Sequence, residues 1–63
     1  MDIVTLGRRL SVGSLVRILV DGKDLGIGLV SQQTGVNRWE VIRVDGSSLG
    51  LSMLCFESEL SPL

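Results

Sequence analysis

The pentapeptide GSSLG at positions 46–50 fits the Gly-x-Ser-x-Gly spacing that lifts a nucleophilic serine onto a sharp strand-to-helix turn. Such a serine needs a general base, ordinarily a histidine, to take its proton. The chain has no histidine, and the pentapeptide falls between two strand patterns, so it reads as a turn. GIG at 26–28 shares two glycines with the dinucleotide fingerprint, but no third glycine follows at the required spacing and no helix pattern follows the strand. DGKDLG at 21–26 lacks the phosphate-loop spacing, and Lys23 is the only lysine. The single thiol, Cys55, permits no intramolecular disulfide, and one thiolate with scattered carboxylates does not make a zinc or iron site. Asp21, Asp24, Asp45, Glu57 and Glu59 fall at turns or near the end, without the dense clustering of a calcium loop. Neither catalysis nor a metal, cofactor or small-molecule substrate is expected.

Binding chemistry is the alternative. Trp39, the only tryptophan, lies between Arg38 and Glu40 on a strand pattern. It can fill the core or stand exposed as an anchor, since tryptophan and arginine dominate interface hot spots. RRLS at 8–11 resembles a basic-directed kinase site; it also reads as an arm whose arginines are solvated or meet an acidic partner surface. The candidate contact set is therefore Trp39, Arg38, Arg43, Arg17, Leu15, Leu19, Arg8 and Arg9. Phe56 is the only other aromatic residue, too few rings for a proline-peptide groove, a methyl-lysine cage or a single-strand stacking platform. A formal charge of −1 gives no electrostatic reason to expect nucleic acid or an anionic membrane as partner.

These residues sit on period-two patterns rich in β-branched side chains. A first strand over 14–20 puts Val16, Ile18 and Val20 on one face and Leu15, Arg17 and Leu19 on the other. It ends at Asp21 and Gly22, a pair suited to the positive φ angles of a tight hairpin turn. A second strand over 25–33 puts Leu25, Ile27 and Leu29 opposite Gly26 and Gly28, where the glycines signal a bend or a close approach. TGVN (34–37) is loop chemistry, and RWEVIRV (38–44) is a third strand closed by a second Asp-Gly pair at 45–46. A fourth strand over 49–55 follows, then a single 3₁₀ turn over 56–60, and Pro62 is tolerable only at a sheet edge. The Val-Asp-Gly echo at 20–22 and 44–46 records two strands entering turns, not a repeat, because the flanking residues do not match.

At 63 residues there is room for one small domain, whose core rarely supplies more than about 3–5 kcal/mol. Hydrophobic residues make up 44% and charged ones 21%, which for so small a chain leans toward association with other chains. Leu15, Leu19, Leu29, Leu49, Leu51, Met53 and Leu54 add to an already full inward set, more than one small core should hold. The order of charges around residues 3–6 is not that of a secretion signal, and the longest uncharged stretch, 25–37, is broken by glycines and polar residues. A soluble chain is expected.

The lead-in VGSLVRIL, the strand GIGLV, RWEVIRVDG with its hairpin, and the closing FESELSPL together resemble the short SH3-like proteins of tailed bacteriophages over residues 12–63. The resemblance implies an all-β fold, a small five-stranded SH3-like barrel with a short 3₁₀ turn before the last strand. Residues 1–12 would be an N-terminal arm or extra strand, and 13–63 the barrel. It further implies a non-enzymatic structural or interaction subunit, a virion or accessory protein packed against itself or a larger protein assembly, in the virion or host cytoplasm. LVDGKDLG is similar to Sm-like proteins, so a KOW or Sm-like nucleic-acid-binding barrel is the alternative; it requires Arg8, Arg9, Arg17, Lys23, Arg38 and Arg43 to gather on one face. A small regulator of a host protein is a third reading.

Overall fold

The computed structural model describes residues 10–63. Five strands follow in order: β1 (Leu15–Val20), β2 (Lys23–Gly35), β3 (Arg38–Arg43), β4 (Ser52–Phe56) and β5 (Leu60–Pro62). They form one antiparallel sheet in the order β4-β3-β2-β1-β5, so the chain is all-β as expected. Among the described residues β4 and β5 are the two edges and do not pair, so the sheet they form is not closed by hydrogen bonds.

Local chemistry accounts for the hairpins. β1 and β2 are joined by Asp21 and Gly22 alone, with φ of 52° and 78°, the double positive that a two-residue turn matching strand twist requires. β2 runs on to Gly35 and turns through Val36 and Asn37 into β3, so the expected loop over 34–37 is half strand. The Asp45–Gly46 turn is longer than the short hairpin expected there. Gly46–Ser48 is a 3₁₀ turn, closed by the Leu49 amide donating to the Gly46 carbonyl at 3.3 Å, and β4 begins at Ser52 rather than at 49. A second 3₁₀ turn, Glu57–Glu59, precedes β5, and Pro62 lies on that edge strand.

One face of the sheet carries the core: Leu10, Val16, Ile18, Val30, Trp39, Val41, Cys55 and Leu60, with Val20, Leu25 and Met53 partly buried against it. Gly28 lies on this inner face, opposite Val16 on β1 and Arg43 on β3. A Cβ there would land on the Val41 Cγ1 methyl and lie 3.0 Å from Ile18 Cδ1. The glycine is thus the close approach its sequence position signalled, one that lets β1 and β3 side chains meet across β2.

The 3₁₀ turn and the hairpin are each pinned by carboxylates. Glu59 Oε1 accepts from the Phe56 amide at 2.9 Å, and Asp45 Oδ1 accepts from the Ile27 amide at 3.0 Å. Asp24 accepts from the Gly26 amide at 2.9 Å and from Arg17 Nη1 at 2.7 Å. These two donors, the amide first, hold the Asp24 carboxyl below its ordinary pKa. A depressed folded-state pKa contributes stability above the unfolded carboxylate value, lost as pH falls through the folded one. Thermal midpoints of wild type should therefore drop more steeply than those of Asp24→Asn as pH falls below about 4, the ordinary carboxylate value, and equal slopes would deny the contribution.

Candidate interaction surface

The outward face of the sheet is assembled by strand register. Leu15 on β1 sits opposite Leu29 on β2, Leu29 opposite Ile42 on β3, and Ile42 opposite Ser52 on β4. Facing residues in an antiparallel pair share a side, so Leu15, Leu29 and Ile42 make an apolar row across three strands. Leu54 stands diagonal to Ile42 on β4, and Phe56 follows two residues on. Leu15 is 48%, Leu54 64% and Phe56 50% exposed, while Leu29 and Ile42 are half-buried by their neighbours. Leu19, Leu49 and Leu51 are also exposed, whereas Met53 packs against the core. The surplus leucines counted in the sequence are largely outside.

Polar groups on this face are occupied with one another. Glu40 Oε1 accepts from Ser31 Oγ at 2.6 Å and from Gln32 Nε2 at 3.0 Å. Arg17 is tied to Asp24, and the Arg38 guanidinium lies over the Phe56 ring, 5.0 Å from its centroid. A shallow depression lined by Arg38, Leu54, Cys55 and Phe56 opens beside β4. A second, lined by Asn37, Phe56, Glu57 and Ser58, leaves Phe56 standing between the two.

The sequence-derived contact set is divided by the fold. Leu15, Leu19, Arg17 and Arg38 are on the surface. Trp39 is 7% exposed and belongs to the core, the first of the two roles open to it, with its indole Nε1 donating to Glu57 Oε1 at 3.5 Å. Arg43 is turned inward: its Nη2 donates to the Leu25 carbonyl, lies 3.5 Å from Asp45 Oδ1, and its side chain is 14% exposed. It braces the β2–β3 hairpin against the Asp45 turn and adds no charge to a contact face. Arg8, Arg9 and most of the expected arm lie outside the described residues. Arg17 pairs with Asp24 and Arg43 with Asp45, so two of the six cations that a nucleic-acid barrel would gather meet carboxylates of this chain. Leu54 and Phe56, outside the sequence-derived set, are exposed on the same face.

The remaining chemistry is structural. Ser48, the serine of the Gly-x-Ser-x-Gly match, is in the 3₁₀ turn between β3 and β4, not on a strand-to-helix elbow. Among the described residues no group of three or more His, Cys, Asp or Glu side chains is placed to hold a metal ion, and no helix is long and apolar enough to cross a membrane. Cys55 is buried at 2% exposure, and that burial, reinforced by Glu59, pushes its thiol above the ordinary pKa. It should react slowly with a thiol reagent in native buffer and rapidly in denaturant; rapid native reaction would place the sulfur at the surface. Among known proteins, no family model, curated protein or solved structure matches the chain.

Proposed function

We propose that this chain is a non-enzymatic structural or interaction subunit, which buries the apolar row of its outward sheet face against copies of itself or a larger protein assembly. The observation that carries the reading is that row, half-buried Leu29 and Ile42 flanked by exposed Leu15, Leu54 and Phe56, which no element among the described residues covers. Contiguous exposed apolar patches on small soluble domains mark contact sites. The polar groups around the row are spent on internal bonds, which leaves the apolar atoms as its free recognition chemistry.

On this proposal the sheet is an incompletely closed SH3-like barrel. The strand order β4-β3-β2-β1-β5 and the 3₁₀ turn before the last strand support that reading. A small bacteriophage virion or accessory protein is its most concrete form, on the strength of the sequence motifs alone.

Light scattering on the purified chain over a dilution series at low and high salt tests the proposal, together with binding of an apolar-surface dye. A defined oligomer that persists in high salt is the expected result, because burial of apolar area is not screened. A stable monomer that binds no dye would overturn it. A monomer that binds the dye supports docking on a larger assembly and removes self-association.

A further inference from the structure

Resting on the association reading above, we propose that two copies of this chain pair antiparallel through the edge of β4, which no strand among the described residues covers, joining their sheets about a two-fold axis. An edge strand presents a row of unpaired amides and carbonyls, and proteins that stay monomeric blunt such edges with proline, charge, shortness or bulges. The edge at β5 is blunted: it has three residues, one of them Pro62. β4 is not. Its residues, Ser52 to Phe56, include no charge and no proline, and its register with β3 is unbroken, whereas the β1–β2 and β2–β3 pairings both carry shifts.

The bonding pattern fixes which groups point outward. The Arg43 amide donates to the Leu51 carbonyl at 2.8 Å, and the Glu57 amide to the Asn37 carbonyl at 2.8 Å. Alternation along an antiparallel ladder therefore turns the Leu51 carbonyl, both backbone groups of Met53 and Cys55, and the Glu57 amide toward β3, and the groups of Ser52, Leu54 and Phe56 away from it. The Phe56 amide is already capped by Glu59. What remains is the amide and carbonyl of Ser52 and of Leu54, with the Phe56 carbonyl already taking the first bond of the Glu57–Glu59 turn and keeping one lone pair.

A second copy fits that remainder. With Leu54 on the axis facing its own copy, each Leu54 amide meets the other Leu54 carbonyl, and each Ser52 amide faces the second lone pair of the opposite Phe56 carbonyl. The capped Phe56 amide is the one donor that this register does not use. Both Leu54 side chains fall on the outward face, bringing the two apolar rows together, and each Phe56 ring lies beside a serine small enough to admit it. The antiparallel sense puts the two Glu59 carboxylates at opposite ends of the paired strands, while Arg38 and Glu40 stay one strand back on each copy. No like charges are brought side by side. An uncharged strand offers a charged peptide nothing to select, whereas a two-fold makes any such edge complementary to itself.

Sedimentation velocity on the full chain and three variants tests the pairing. Leu54→Pro removes the outward amide without breaking an intrachain bond, since that amide faces away from β3, and proline is tolerated at such an edge position. Leu54→Lys keeps every backbone group and sets two ammonium groups opposite one another across the axis. Leu15→Lys alters the outward face far from β4. Wild type and Leu15→Lys are expected to sediment as dimers, Leu54→Pro as a monomer with an unchanged β-sheet spectrum, and Leu54→Lys to dissociate at least about tenfold more readily. A dimer indifferent to both Leu54 variants would overturn the β4 pairing and leave the association reading standing. Dissociation by Leu15→Lys alone would move the contact to the outward face. A wild-type monomer at every concentration would overturn self-pairing altogether.

Discussion

Gly28→Ala is expected to destabilise the fold by about 1–3 kcal/mol or more, although it adds only one methyl group. Gly28 is buried, and its φ is not in the left-handed region, so the cost is one of space and not of backbone conformation. The added carbon would land on Val41 Cγ1, with Ile18 Cδ1 at 3.0 Å and the Ile42 carbonyl oxygen at 3.3 Å. Val41 and Ile18 are both fully buried, and neither can retreat without displacing another core side chain. A core that supplies about 3–5 kcal/mol in a domain of this size has little to spare. Gly35→Ala is the control: its Cβ would meet nothing closer than Arg38 Cβ at 3.6 Å, and it should be neutral or stabilising by up to about 1 kcal/mol through the unfolded chain. Urea unfolding midpoints compare the two, and equal midpoints would mean that β1 and β3 do not meet across Gly28.

Trp39→Ala should cost about 3–5 kcal/mol, enough to leave the chain mostly unfolded at room temperature. Trp39 stands opposite Cys55 on β4 and is the largest side chain of the core. Trp39→Phe retains most of that volume, forfeits the long bond to Glu57, and should stay folded with a lowered midpoint. Circular dichroism melting reads both. The native fluorescence offers a second check, since this single indole should emit at shorter wavelength folded than unfolded. A folded Trp39→Ala variant with an unchanged midpoint would put the ring on the surface.

Much of the fold was legible because its signals are local. Alternation along 14–20 separated Val16 and Ile18, which are fully buried, from Leu15 and Leu19, which are exposed. Asp21 and Gly22 announced a turn that both residues' positive φ supplies. The 3₁₀ turn before β5 was expected within a residue or so of its ends. What failed depended on partners distant in sequence. Strand alternation could not say that the glycine side of β2 faces inward, because that follows from Ile18 and Val41 reaching across it. Nor could it give the start of β4, which is delayed when Gly46–Ser48 winds into a 3₁₀ turn.

Exposure within the contact set was only partly legible: Leu15, Leu19 and Arg17 are at the surface, whereas Trp39 and Arg43 are turned in. Arg43 was chosen for its charge, yet Asp45 and the Leu25 carbonyl draw it in. Phe56 was passed over as one of only two aromatic residues, yet the register puts it at an open edge under Arg38. The sequence did hold one usable sign of that edge: SMLCF is a run of five residues with no charge or proline to discourage pairing.

If apolar surface left bare in one chain is covered by another, folding and association are linked, and stability must depend on how much chain is present. Thermal unfolding of the wild-type chain across about a hundredfold range of concentration measures that link directly. The predicted result is a midpoint that climbs steadily with concentration and shifts little with salt. A midpoint identical at every concentration would contradict it, and would mean that the outward leucines and the β4 edge are tolerated bare.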